Sequence, residues 1–198
     1  MNLVLSPHPD DAEYSVSGTI LKSTDEWKVV TLSAGGDNDD TTGSSRLVES
    51  ELFWSLYHNV EHIGIDYKTI DEMRDHELVS MIDDLVSGVD TIYVPPLEDN
   101  HFEHRKISGA ARAATRGKPI TVIEYHTPST KSVWNPNLFV DVTGYYEIKR
   151  KRIHECFESQ RDRFYFSEKN IEIFHEEYFC RLRGLDKVEK FRVEYQFK

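Results

Sequence analysis

Two short clusters of histidine and acidic residues stand out by residue type and spacing. His8, Asp10 and Asp11 lie in "SPHPDDAE", and His101 and His104 lie in "DNHFEH". His8 and Asp11 are three residues apart where a strand should turn into a helix, so their side chains can converge. His101 and His104 have the same spacing, which places both imidazoles on one face of a helical turn. Two imidazoles and one carboxylate can hold a divalent cation and leave a position open for water.

Each cluster alone has a simpler explanation. An aspartate pair at the start of a helix commonly caps its free N–H groups, and a lone H-x-x-H in a loop is commonly a surface feature. Capping, however, does not explain a histidine between two prolines, Pro7 and Pro9. The two clusters together therefore predict a site for one divalent metal ion. Zinc is favoured, although iron, manganese or cobalt would accept the same ligands.

The elements that must position these clusters alternate between strands and helices. Short apolar runs rich in β-branched residues predict buried parallel strands at 2–6, 28–33, 90–94 and 120–125. Amphipathic stretches predict helices at 14–22, 46–57, 78–86 and 107–114. This alternation predicts an α/β fold, a Rossmann-like three-layer sandwich with a mostly parallel sheet.

The strand ends carry the polar residues. The predicted strands are followed by "PHPDDAE", "AGGDNDDTTGSSR", "PPLEDNHFEH" and "HTPST". Open α/β sheets bind ligands at the carboxyl ends of their strands, because the loops and helix N-termini converge there. We therefore expect the metal site at the carboxyl ends of the strands.

The C-terminal third has a different pattern. "NLFVDVT" predicts a further strand, residues 146–158 a basic helix, and the alternating "FRVEYQF" an edge strand. The basic run from Lys149 to Arg152 is interpreted as a solvated helix face.

Composition restricts the class of protein. The 198 residues are long enough for one domain, predicted as 1–198, and the net charge of −11 argues against nucleic acid or an anionic membrane as partner. Two cysteines provide neither a disulfide framework nor a thiolate zinc cluster. With no signal-peptide pattern and no apolar run long enough for membrane insertion, we expect a cytoplasmic protein. The apolar pattern leaves the oligomeric state open, and a homo-oligomer is allowed.

Several segments resemble the LmbE-like or PIG-L de-N-acetylases. "SPHPDDAE" is similar to the family's [A/S]-H-P-D-D-E signature, and "DNHFEHR" is similar to its H-x-[D/E]-H motif. Weaker similarities to the family continue in the same order through "RLVESELFWSL", "EYHTPSTKSVWNPNLFVDVT" and "VEKFRV". The resemblance implies a metal-dependent hydrolase that removes the acetyl group from an N-acetylated amino sugar, such as N-acetylglucosamine, or from a glycoconjugate.

The resemblance also implies roles for the two clusters. His8, Asp11 and His104 match the family's three metal ligands. Asp10 matches the general base that deprotonates water, and His101 matches the residue that stabilises the oxyanion or protonates the leaving amine. These parts meet the needs of amide hydrolysis, which requires an activated water, a polarised carbonyl and an acid for the amine.

Substrate contacts are less defined. Arg46 matches a substrate-contacting arginine. The family's T-x-G-E-x-G segment reads "SAGGDNDD" here, so Asp37 becomes the candidate in that loop. His126 could contact the sugar or be an ordinary loop histidine. Two alternatives stay open: an amidohydrolase for another N-acyl or non-sugar amide, and a metal-bound sugar-binding protein without turnover.

Overall fold

A mixed sheet runs through the middle of the protein. The computed structural model describes residues 1–35, 42–65 and 70–197. Its strands are β1 (Asn2–Ser6), β2 (Trp27–Thr31), β3 (Val60–Gly64), β4 (Thr91–Val94), β5 (Thr121–Tyr125), β6 (Leu138–Asp141) and β7 (Val188–Tyr195). They are ordered β3-β2-β1-β4-β5-β7-β6, with the first five parallel and β7 antiparallel to both neighbours. The predicted α/β class with a mostly parallel sheet is confirmed.

Helices cover both faces of the sheet. They are α1 (Asp11–Ser15), α2 (Ser17–Lys22), α3 (Thr42–Ser55), α4 (Asp75–Leu85), α5 (Phe102–Thr115), α6 (Tyr146–Cys156), α7 (Glu168–Phe174) and α8 (Tyr178–Arg181). The single helix predicted at 14–22 is instead two short helices, because the backbone leaves helical geometry at Val16. Within the described ranges, no helix has the length and apolar content needed to cross a membrane.

The pleat of β1 separates two hydrophobic cores. Leu3 and Leu5 pack on one face with side chains of α4 and α5, including Ile82 and Ile107. Val4 points to the opposite face and joins a core that α2, α3 and α6 complete. Complete burial of an aliphatic side chain contributes about 1.5–3 kcal/mol, so both faces of the sheet are held by their helix layers. This arrangement is the predicted three-layer sandwich.

The strand order reverses direction between β1 and β4. From β1 the chain proceeds outward to β2 and β3, then crosses to β4 on the other side of β1. Loops leaving adjacent strands in opposite directions open a crevice at such a switch point, where α/β proteins bind ligands. The His8 and His101 clusters follow β1 and β4, so the fold brings both to this crevice.

Strand β7 is not the predicted edge strand. It lies between β5 and β6 and is paired with both strands. Arg192 Nη2 lies 2.6 Å from carboxylate oxygens of both Glu98 and Glu124. The edges are β6 and β3, the latter a strand that the apolar pattern does not predict because Glu61 and His62 interrupt it.

The interpretation of the basic run as a solvated face is wrong for Lys149. This side chain is fully buried, and its Nζ donates to Glu189 Oε1 (2.5 Å) and to the carbonyl of Tyr14 (2.6 Å). Glu189 also accepts the backbone N–H groups of Gly18 (2.8 Å) and Thr19 (2.7 Å) at the start of α2. The pair thus ties α6 and β7 to the two short helices that follow β1.

Candidate active site

The turn after β1 brings His8 and Asp11 together. Ser6 Oγ donates to the carbonyl of His8 (2.8 Å) and accepts the N–H of Ala12 (3.1 Å), which closes the turn into α1. Asp11 Oδ2 lies 3.1 Å from Nδ1 of the His8 ring and accepts the N–H of His8 (3.0 Å). The three-residue spacing therefore brings the backbone N–H and the ring of His8 to the same carboxylate oxygen of Asp11.

The start of α5 brings His104 to the same oxygen. His104 Nε2 lies 3.1 Å from Asp11 Oδ2, so this atom is equally close to both imidazoles. Burial alone would raise the pKa of Asp11, but His104 and His8 outweigh it and hold the pKa well below its usual range. Zinc bonds of about 2.0–2.2 Å at tetrahedral angles would place ligand atoms roughly 3.3–3.6 Å apart, close to the observed spacing.

Asp99 fixes the other side of the His104 ring. Its Oδ2 lies 3.2 Å from His104 Nδ1, and the fully buried carboxylate also accepts the hydroxyls of Thr127 and Ser129, both at 2.6 Å. A proton on Nδ1 shared with a carboxylate leaves Nε2 as the electron-pair donor. Burial opposes protonation of His104, but Asp11 and Asp99 outweigh it and raise its pKa to about 10.

Glu103 fixes the ring of His8 in the same manner. Its Oε2 lies 2.5 Å from His8 Nε2, while Oε1 accepts the backbone N–H groups of Ile70 (2.5 Å) and Asp71 (3.1 Å). This carboxylate occupies Nε2 of His8, so Nδ1 is the nitrogen that faces Asp11. The donor set of two oriented imidazoles and a buried carboxylate suits a divalent transition-metal ion.

His101 precedes α5 and is the exposed member of the cluster. Its ring centre lies 4.6 Å from that of His8 and 4.7 Å from that of His104. Ligand nitrogens of the three histidines lie within 4.8 Å of one another, so the imidazoles form a second group able to hold a metal. Burial and the charges of His8 and His104 lower the pKa of His101.

Asp10 lies beside the cluster in a strained conformation. Its φ of 109° places an L-residue in a region that favours glycine. Oδ2 of Asp10 accepts hydrogen bonds from Arg46 Nη2 (3.0 Å) and the hydroxyl of Tyr165 (3.2 Å). Burial raises the pKa of Asp10 although the Arg46 guanidinium opposes the shift.

Arg46 is buried and connects the segments that form the wall of the site. Its Nη1 donates to the carbonyl of Gly35 (2.8 Å), and Nη2 donates to the carbonyl of Pro9 (2.8 Å) as well as to Asp10. Gly35 has a φ of 66°, and a Cβ there would overlap the guanidinium. The predicted substrate contact of Arg46 stays a prediction, whereas its contact with Asp10 is present in the structure.

A cavity of about 870 Å³ opens over these residues. His126 lines it, with its ring stacked between those of Trp134 and Phe174 at centroid distances of 5.4 and 4.5 Å. Burial and the nearby Lys190 lower the pKa of His126 to about 3, so the ring is neutral. Its predicted substrate contact stays a prediction, and Asp37 lies outside the described residues.

The sequence patterns missed four residues of this site. Glu103 and Asp99 flank the predicted histidines, and an acidic residue so close to a candidate metal-ligating histidine is itself a signal for an orienting partner. Glu13 is the last acid of the first motif and follows Asp10 at the spacing of a capping box, which is the sequence signal for its contact with the Asp10 backbone N–H (3.0 Å). Tyr165 is 155 positions from Asp10 and had no signal.

Solved structures with the same fold include several deacetylases and a conserved protein. N,N'-diacetylchitobiose deacetylase from Pyrococcus horikoshii superposes with a TM-score of 0.77 at 20% identity, covering 97% of this chain and 82% of that chain. The conserved protein TT1542 from Thermus thermophilus has a TM-score of 0.79 at 18% identity, covering 100% and 95%. The zinc-inhibited form of teicoplanin deacetylase Orf2 has a TM-score of 0.70 at 17% identity, covering 97% of both chains.

Sequence comparison assigns the family. No curated protein sequence matches the chain significantly. The PIG-L family, described as GlcNAc-PI de-N-acetylase, matches residues 3–115, which is more than half of the chain and contains both histidine clusters. By this match, and in agreement with its fold, the chain belongs to the PIG-L family.

Proposed function

We propose that this protein is a zinc-dependent N-deacetylase acting on an N-acetylated amino sugar or glycoconjugate. One observation carries the proposal: Asp11 Oδ2 lies 3.1 Å from a nitrogen of both His8 and His104, with Asp10 beside it in the wall of a cavity. The family's description as a de-N-acetylase supports the reaction type. The diacetylchitobiose and teicoplanin deacetylases among its structural neighbours favour a sugar-containing substrate.

His8, Asp11 and His104 would hold the ion. His101 is an alternative third ligand, but the closeness of Asp11 to both rings favours the carboxylate. A bound divalent ion would acidify water and polarise the acetyl carbonyl. Glu103 and Asp99 keep the two imidazoles turned so that the nitrogens facing Asp11 carry the electron pairs.

Asp10 accepts the proton of the attacking water. Arg46 and Tyr165 both donate to Oδ2, which fixes the orientation of the carboxylate in the cavity wall. The water oxygen then forms a bond to the acetyl carbon, and negative charge develops on the carbonyl oxygen. As the C–N bond breaks, the proton passes from Asp10 to the amine nitrogen, and acetate and a free amino sugar are released.

His101 stabilises the charge that develops on the carbonyl oxygen. It is the exposed histidine of the cluster, and an N–H of its ring can reach a substrate in the cavity. The cavity volume of about 870 Å³ is within the usual range for small-molecule sites and accommodates a sugar with a further group attached.

Cys156 and Cys180 are free and buried, which is compatible with the cytoplasmic location that we propose.

Acetate release from a substrate panel tests the function. Metal-stripped protein, reloaded with one equivalent of Zn²⁺, is assayed on acetylated amino sugars, N-propionyl analogues and non-sugar N-acetyl compounds. We expect zinc-dependent release of acetate from at least one sugar, loss of release in His104→Ala, and unchanged release in the control His76→Ala at an exposed site. Turnover restricted to the non-sugar amides, or equal rates in His104→Ala and wild type, would contradict the proposal.

A further inference from the structure

The backbone at Asp10 is held in a conformation that it would not adopt alone. Among the described residues, Asp10 is the only non-glycine with a positive φ. Such a conformation costs about 1–3 kcal/mol and persists only where neighbouring groups hold it. Because φ sets the direction of the side chain relative to the peptide N–H, whatever fixes this N–H also directs the Asp10 carboxylate.

Glu13 fixes the N–H of Asp10. Its carboxylate is almost fully buried, and Oε2 accepts this N–H at 3.0 Å. Its other oxygen, Oε1, accepts the Trp54 indole N–H (2.8 Å) and the Ser50 hydroxyl, both from buried side chains of α3. Three donors from two elements thus converge on one carboxylate, which connects the strained turn to a helix of the core.

We propose that Glu13 is a positioning residue for the general base, holding the Asp10 backbone so that the carboxylate reaches Arg46 and Tyr165. The inference rests on the proposed function. Glu13 itself does not line the cavity, so it acts through Asp10 and not on the substrate. Without its bond, Asp10 would relax toward negative φ and its carboxylate would move away from the water that it deprotonates.

Glutamine tests this role because it has a single acceptor oxygen. In Glu13→Gln the amide cannot accept the N–H groups of both Asp10 and Trp54. The Ser50 hydroxyl can reverse its direction, because its oxygen can accept from an amide NH₂ while its proton turns toward His62 Nε2 at 3.3 Å, a nitrogen that also lies 3.0 Å from Thr31 Oγ1. Burial lowers the pKa of His62 to about 4, so this ring is neutral. The indole can only donate. Trp54→Phe removes this donor, so in the double variant the amide oxygen is free for Asp10 and the NH₂ group faces Ser50.

Steady-state kinetics of three zinc-loaded variants give the first test. We expect kcat to fall about 10²-fold in Glu13→Gln, with KM changed less than about twofold. The kcat of Trp54→Phe should fall less than about threefold. The kcat of the double variant should recover to within about fivefold of the wild-type value. If Glu13 only stabilised the fold, the double variant would have a lower kcat than Glu13→Gln, because loss of the indole adds a second destabilisation. Wild-type kcat in Glu13→Gln, or a double variant no faster than Glu13→Gln, would overturn the proposal.

Hydrogen exchange gives a second test that needs no turnover. The Asp10 N–H should exchange at least about tenfold faster in Glu13→Gln than in wild type and become protected again in the double variant. If wild type releases no acetate while exchange follows this order, the proposed function fails and the positioning contact stands. Equal exchange of this N–H in all three proteins would overturn the inference whatever the kinetics show.

Discussion

Replacement of Asp99 by asparagine should weaken zinc binding through the orientation of His104. Asp99 Oδ2 faces His104 Nδ1 at 3.2 Å and also accepts the Thr127 hydroxyl. An amide NH₂ at this position would push the ring proton of His104 onto Nε2, the nitrogen that faces Asp11. The opposite amide orientation would lose the bond from the backbone N–H of His101 to Oδ1 (2.7 Å). Neither orientation preserves all the contacts.

Partners that orient a metal-ligating imidazole typically contribute 10–100-fold to metal affinity. We therefore expect the Kd for Zn²⁺ to rise roughly 10–100-fold in Asp99→Asn, or ~1.4–2.7 kcal/mol. Competition titration of the metal-stripped protein against a chromophoric chelator measures the Kd. The control Thr127→Val removes a neutral donor to Asp99 and keeps its charge, so its Kd should rise less than about fivefold. A folded Asp99→Asn variant with wild-type Kd would refute the orienting role.

Two further predictions concern buried charge away from the cavity. Lys149→Met leaves the Glu189 carboxylate without its cation, so urea denaturation should show the free energy of unfolding reduced by about 3–5 kcal/mol. The double variant Lys149→Met/Glu189→Gln should lose less, and equal losses in the two variants would argue against the ion pair. Burial, followed by the charge of Lys149, holds the pKa of His175 well below its usual value, so the unfolded chain takes up a proton that the folded chain excludes. Because of this ring, the free energy of unfolding should fall by about 1.4 kcal/mol between pH 7.5 and 5.5. His175→Leu should lack this part of the pH dependence, and identical pH profiles of unfolding for wild type and variant would contradict the prediction.

The sequence predicted the architecture because its main signals are local. The strands β1, β2, β4 and β5 are short β-branched runs, and their alternation with helices leaves few topologies. The position of β7 could not be predicted in the same way. Arg192 and Glu194 give the segment "FRVEYQF" the alternation of an edge strand, and only the tertiary structure shows that Glu98 and Glu124 pair with Arg192.

The two histidine clusters could be predicted because each combines residue type with helical spacing. Asp99 lies only five positions from His104, but other contacts that orient the site join residues distant in the sequence. Glu103 reaches His8 across 95 positions, and Tyr165 reaches Asp10 across 155. Buried Lys149 shows the same limit, since its partner lies 40 positions away and the local sequence shows only a run of basic residues.

The most direct test is acetate release by wild type and Asp10→Asn, with zinc content determined on the same samples. The substitution keeps the shape of the side chain and removes its ability to accept the water proton. We expect about one zinc per chain in both proteins and release at least about 10²-fold slower in the variant. Equal rates in the two proteins, or a zinc-loaded wild type that releases no acetate from any sugar of the panel, would contradict a zinc-dependent deacetylase with Asp10 as its base.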